Sequence, residues 1–136
     1  MAFLLDTNVV SELRRGRKCD PSVREWSLRT SDDRHYLSVL TLGEIRKGIE
    51  VKRRTAQAQA AVFENWLDRI EGEYTGEILP VDGAIASRWG RLEARRSLPV
   101  IDGLLAATAL VHELTLATRN TPGFKGTGVS LVNPFE

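Results

Sequence analysis

Close to its start the chain passes through Ala2, Phe3, Leu4 and Leu5 without a polar residue and then stops at Asp6. A strand with one face in water alternates apolar and polar residues. An unbroken apolar run of this length is the pattern of a strand buried on both faces, as in a parallel sheet covered by helices. The run is too short to span a membrane and carries no basic residues ahead of it, so it reads as neither anchor nor signal peptide. Segments 36–40, 78–81, 115–118 and 129–132 are short apolar stretches of the same kind.

Helical patterns lie between them. Val9, Val10 and Leu13 have helical spacing before Gly16, and Asp20 followed by Pro21 is an N-cap with proline at the first helical position. A helix from about Thr41 carries Leu42, Ile45 and Ile49 on one face. Another over 55–70 carries Ala56, Ala60, Phe63, Leu67 and Ile70, with Trp66 beside that stripe and expected in the core. Asp82 caps a helix reaching Arg96, and an Ala-rich helix over 102–114 is apolar on most faces and therefore central. Strands alternating with helices in 136 residues predict one domain of α/β class, a mainly parallel central β-sheet flanked by α-helices.

Nineteen Lys and Arg against 18 Asp and Glu leave a formal net charge of +1, so any attraction for a polyanion must come from local patches. The single Cys19 can form no internal disulfide, which points to a reducing, cytoplasmic setting. His35 and His112 lack the spacing of a histidine metal site and read as structural or exposed.

Ligands of open α/β sheets gather beyond the carboxyl ends of the strands. Asp6 directly follows the first strand, Glu44 lies a few residues beyond the second, Asn120 follows the segment 115–118, and Asp102 stands at a helix start. Brought together, three carboxylates repel one another, and no neighbouring lysine motif neutralises them. A divalent cation does so, and hard oxygen ligands suit Mg²⁺, or Mn²⁺, better than zinc. Each acid also has a plain structural reading. Asp6 and Asp102 can cap helices, and Thr41-Leu42-Gly43-Glu44 matches a capping box in which the glutamate bonds back to the threonine amide.

At this point four segments, in order, resemble the VapC-like PIN-domain ribonucleases, toxins of type II toxin-antitoxin modules. They are Leu5-Asp6-Thr7-Asn8-Val9-Val10-Ser11-Glu12, Ser38-Val39-Leu40-Thr41-Leu42-Gly43-Glu44-Ile45, Asp102-Gly103-Leu104-Leu105-Ala106-Ala107-Thr108-Ala109 and Leu116-Ala117-Thr118-Arg119-Asn120, closing on Val132-Asn133-Pro134-Phe135. The resemblance covers essentially the whole chain. It implies a PIN-like fold and an Mg²⁺-dependent endoribonuclease acting on a folded RNA such as tRNA or rRNA.

Asp6, Glu44 and Asp102 would form the metal-binding acidic centre, Asp6 and Asp102 as direct ligands, with Asn8, Thr118 and Asn120 as supporting groups. Many relatives carry a further acid in the fourth motif, where this chain has Asn120 and Gly123, so one firmly bound metal is expected. A homodimer and a cognate VapB-like antitoxin are also implied, the antitoxin placing a basic side chain near the acids. Arg88, Arg91 and Arg95 have the helical spacing of a phosphate-binding ridge, although a solvated face interleaved with Glu93 fits the same pattern. Two rival readings remain. One is a catalytically weak PIN-like module that binds RNA or controls transcription with its partner. The other, a phosphotransfer domain with Asp6 as nucleophile, lacks the expected second aspartate and a lysine.

Overall fold

The structure is a computed structural model that describes all residues, 1–136. Five strands, β1 (Ala2–Leu5), β2 (Arg34–Ser38), β3 (Ile78–Leu79), β4 (Thr115–Ala117) and β5 (Leu131–Val132), form one sheet in the order β3-β2-β1-β4-β5. Every pairing is parallel. The α-helices are α1 (Thr7–Leu13), α2 (Pro21–Arg29), α3 (Val39–Arg53), α4 (Gln57–Glu73), α5 (Gly83–Arg95) and α6 (Val100–His112).

The opening apolar run is the middle strand and is covered on both sides. Phe3 and Leu5 point into one core with Val9, Trp26, Ile45 and Leu67. Leu4 points the other way, into a core with Leu92, Leu105, Leu116 and Phe124. Side chains alternate across a strand, so consecutive apolar residues are needed to serve two cores at once. Burying side chains such as Leu4 and Leu5, both wholly inaccessible, stabilises by about 1.5–3 kcal/mol each. Helices α1 to α4 supply the first core, and α5 and α6 the second.

Several boundaries differ from those read in the sequence. The second strand occupies Arg34–Ser38 rather than 36–40, because α3 starts at Val39 with Ser38 as its cap; the Ser38 hydroxyl accepts the Leu40 amide at 3.0 Å. Thr41 is therefore inside the helix and cannot head a capping box with Glu44. Helix α6 begins at Val100, so Asp102 lies in its first turn instead of capping it. The caps at Asp20 and Asp82 are as expected, accepting the Ser22 and Ile85 amides. The segment 121–124, read as loop, is a short 3₁₀ turn whose Phe124 is buried. His35 stacks on Trp26 at 5.3 Å, its ring beside the Thr30 hydroxyl, and burial pushes its pKa down. It is a packing residue, and His112 is exposed.

Helix α5 lies against α6 where Trp89 meets Gly103, the residue after Asp102. A Cβ on Gly103 would fall 2.9 Å from the Trp89 indole nitrogen. Gly103→Ala is expected to force the indole aside and cost about 1–3 kcal/mol, read as a lower urea midpoint. An unchanged midpoint would show that the Trp89 side chain yields freely.

Candidate active site

The register of the sheet builds the site. Leu5 pairs with Ala117 across β1 and β4, so the next residues, Asp6 and Thr118, emerge side by side at the carboxyl edge. Asp6 is only 7 % exposed. One carboxylate oxygen accepts the Thr7 amide at 2.7 Å, capping α1; the other accepts the Thr118 hydroxyl at 2.8 Å and the Asn8 side-chain amide at 3.4 Å. The capping role and a functional role thus coexist in one side chain. The oxygen facing the Thr7 amide accepts only that bond and retains acceptor capacity for a further partner.

Thr118 is fully buried, and its hydroxyl also accepts the Asn120 amide at 3.1 Å. Asn8 completes the frame, its carbonyl oxygen accepting the Arg119 amide at 3.2 Å. Thr118→Val keeps the shape but removes the donor to Asp6. Stability is expected to fall by about 1–3 kcal/mol in chemical denaturation; no change would mean the hydroxyl does not hold the carboxylate.

Glu44 makes a contact that no local motif predicts. Its Oε1 accepts the Thr7 hydroxyl at 2.6 Å, tying α3 to α1 across 37 positions of sequence. Asp102, arriving from α6, has its carboxyl pKa raised, first by partial burial and then by the charges of Asp6 and Glu44. Asp102 therefore lies within electrostatic reach of the other two acids. None has a lysine, arginine or histidine nitrogen within 4.0 Å, since all ion pairs of the chain lie elsewhere. The acids do not close into a set of three that could grip one ion together. Asp6 emerges at the sheet edge beside Thr118, and Glu44 is held by Thr7.

Asn120 and Gly123 form a matched pair. A Cβ on Gly123 would come within 2.4 Å of the Asn120 amide nitrogen, so the glycine makes room for that side chain. Two grooves meet at Glu44, which lines both. One, of about 720 Å³, runs along α3 past Lys47 and Val51 to Ile101; the other, of about 300 Å³, lies between α1, α3 and α4 past Ser11, Phe63 and Trp66.

Elsewhere on the surface, Arg53 is engaged by Glu50 and Glu64, and Arg14 lies over the Phe63 ring at 4.1 Å. Arg88, Arg91 and Arg95 lie on α5 and are unpaired; Glu93, the acid interleaved with them, bonds instead to Ser97 and the Leu98 amide.

A family model described as "PIN domain" matches residues 3–127. The chain belongs to the PIN-domain family. Among curated PIN relatives, it is 36 % identical to the VapC ribonuclease Y4jK of Sinorhizobium fredii, with 98 % of each chain covered. It is 31 % identical to toxin FitB of Neisseria gonorrhoeae over 98 % of this chain and 99 % of that one. The crystal structure of FitAcB from the same organism superposes with a TM-score of 0.85 at 31 % identity, covering 98 % and 99 % of the two chains. The PIN fold expected from the four motifs is thus the fold observed, in its VapC-like form.

Thr7 and Ser38 are the polar residues of this PIN domain that sequence reasoning passed over. The Ser38 cap was legible, as a serine ahead of an apolar run; the Thr7 contact was not, because its partner is remote in sequence.

Proposed function

We propose that this chain is the ribonuclease toxin of a VapBC-type pair, cleaving the phosphodiester backbone of a structured RNA with the help of Mg²⁺, and that growth stops until a VapB-like antitoxin binds. The observation that carries this reading is that Thr7 links Asp6 to Glu44 at the carboxyl edge of the sheet, with Asp102 within reach of both charges and no protein cation paired to any of the three. Relatives of near-complete coverage are named as ribonuclease and toxin, which supports the same assignment.

An all-oxygen donor set with uncompensated negative charge fits Mg²⁺, or Mn²⁺, which is commonly held by one or two carboxylates. Asp6 and Asp102 would be its ligands. When bound, such a cation supplies charge stabilisation for the phosphate under attack and acidifies a water. Glu44 lies at the mouth of both grooves, held by the Thr7 hydroxyl, and is placed to orient the attacking water and accept its proton. Thr118 and Asn8 fix the Asp6 carboxylate, so its orientation is set before substrate arrives. Asn120 adds no charge, consistent with a single resident metal.

The partner reading follows from the same geometry. An extended antitoxin segment lying in a groove lined by Glu44 would bring a basic side chain to the acids and occupy the path of the RNA. Structural neighbours titled as toxin-antitoxin complexes, one of them from Klebsiella pneumoniae, support such a partner. A homodimer belongs to this proposal as well.

The test uses purified chain, freed of antitoxin, and a structured RNA. Cleavage is expected with Mg²⁺ and is expected to vanish in EDTA. Undiminished cutting in EDTA would sink the metal-dependent reading, and tight RNA binding without any cutting would favour the binding module.

A further inference from the structure

Arg119 follows Thr118 directly and is tied to the acidic centre through its own backbone. Its amide donates to Asn8, whose side chain also contacts Asp6, and its carbonyl accepts the Asn133 side-chain amide at 3.4 Å. Asn133 in turn accepts the Phe135 amide at 3.0 Å, and this tight turn sets the Phe135 ring under the Arg119 guanidinium, 4.5 Å from centroid to Cζ. Phe135 itself packs against the core on the Phe3 face of the sheet. The guanidinium is exposed and takes part in none of the ion pairs of the molecule.

Arg119 is thus a stacked, unpaired arginine whose backbone is bonded to the frame of the carboxylate cluster. Neutralising the acids directly would require an ion pair, which Arg119 does not make. Stacking leaves the edge of the guanidinium, with its fork of N–H donors, free to meet a planar or tetrahedral anion, and reduces the freedom lost on doing so. An RNA lying across the acids needs one phosphate at the scission point and cationic groups to hold its neighbours. Acids alone would repel the rest of the strand.

We infer that Arg119, held on Phe135, is a substrate-positioning residue that grips a backbone phosphate of the RNA next to the one being cut. This inference rests on the ribonuclease reading above and adds to it a specific hold on the substrate.

The experiment measures binding separately from cleavage. In an Asp6→Asn background that does not cut, a fluorescent single-stranded oligoribonucleotide is titrated at several salt concentrations. Adding Arg119→Gln is expected to weaken binding about ten-fold. It should also flatten the log–log salt dependence by roughly 0.7, as expected when one fewer phosphate of a single strand is neutralised. Arg119→Lys should keep the slope while losing affinity, because the charge remains but the fork does not. Phe135→Leu should weaken binding without flattening the slope, since the charge is kept and only its cradle changes. In the cutting enzyme, Arg119→Gln should raise KM more than it lowers kcat.

Equal affinity and equal slope for the Arg119→Gln protein overturn the inference, and so does an effect confined to melting temperature. If the unmodified chain neither binds the oligoribonucleotide nor cleaves a structured RNA, the ribonuclease reading itself fails and takes the Arg119 role with it. Cleavage and binding by the unmodified chain with an inert Arg119→Gln substitution leaves that reading standing and removes the Arg119 role alone.

Discussion

Asp6→Asn and Asp102→Asn are each expected to reduce Mg²⁺-dependent RNA cleavage by about 10³-fold, on the order of 4 kcal/mol of transition-state stabilisation. The substitution preserves shape and removes one charged oxygen donor, so the loss is one of metal affinity and of the field at the phosphate. Asp102→Asn carries a second signature that does not depend on activity. With its pKa raised by partial burial and by two neighbouring acids, an ionised Asp102 opposes folding of the metal-free protein. The asparagine variant should therefore melt higher than the parent in EDTA.

Added Mg²⁺ should close that gap by stabilising the parent, since a ligand that binds only the folded state raises its stability. The Asp6→Asn case is different, because Asp6 also caps α1 and accepts from Thr118. An amide must turn its nitrogen toward one of those donors, so Asp6→Asn is expected to lose stability as well as activity. Full cleavage by either variant, or an Asp102→Asn protein no more stable in EDTA than its parent, would refute this account of the acids.

Phe124→Ala is expected to be the most destabilising single change near the site, at about 3–5 kcal/mol. For a chain of this size that is a fall on the order of 10 °C in melting temperature. Phe124 is 1 % exposed and fills the core on the Leu4 face, among Leu92, Leu105 and Leu116. It is also the anchor of the turn carrying Asn120 and Gly123. Arg96 clasps that turn from the end of α5, donating to the Gly123 and Lys125 carbonyls at 3.2 and 2.6 Å, and Thr127 donates to the Phe124 carbonyl at 2.6 Å. Emptying the Phe124 pocket would leave those bonds holding a segment with no apolar footing. Thermal unfolding by circular dichroism checks the magnitude, and a change under about 1 kcal/mol would show that the surrounding leucines collapse into the space.

Much of the architecture was readable because it rests on short-range patterns. The unbroken run Ala2–Leu5 predicts a strand buried on two faces, and it is the central strand between two cores. Asp20-Pro21 and Asp82 announce helix starts through local hydrogen bonding, and both caps are present. Boundaries shifted where two local patterns competed for one helix start. Ser38 and Thr41 can each begin a helix and are equally buried, but it is the Ser38 hydroxyl, at the end of β2, that accepts the amide of the first turn. The turn at Phe124 was not legible because Thr-Pro-Gly ahead of it has the composition of a loop, while what organises it is an aromatic side chain finding the second core.

The chain alone determined which residues could matter: three acids after or beside buried segments, an asparagine and glycine in place of a further acid, and one domain to hold them. Those properties follow from side-chain chemistry and from periods of two and 3.6, which act over a few residues. Only the tertiary structure decided that Asp6 is gripped by Thr118, that Glu44 answers to Thr7 instead of its own helix, and that Arg119 stands on Phe135 without an acid partner. Such contacts join positions far apart in the chain. They are set by strand register and helix packing, for which a sequence read a window at a time has no measure.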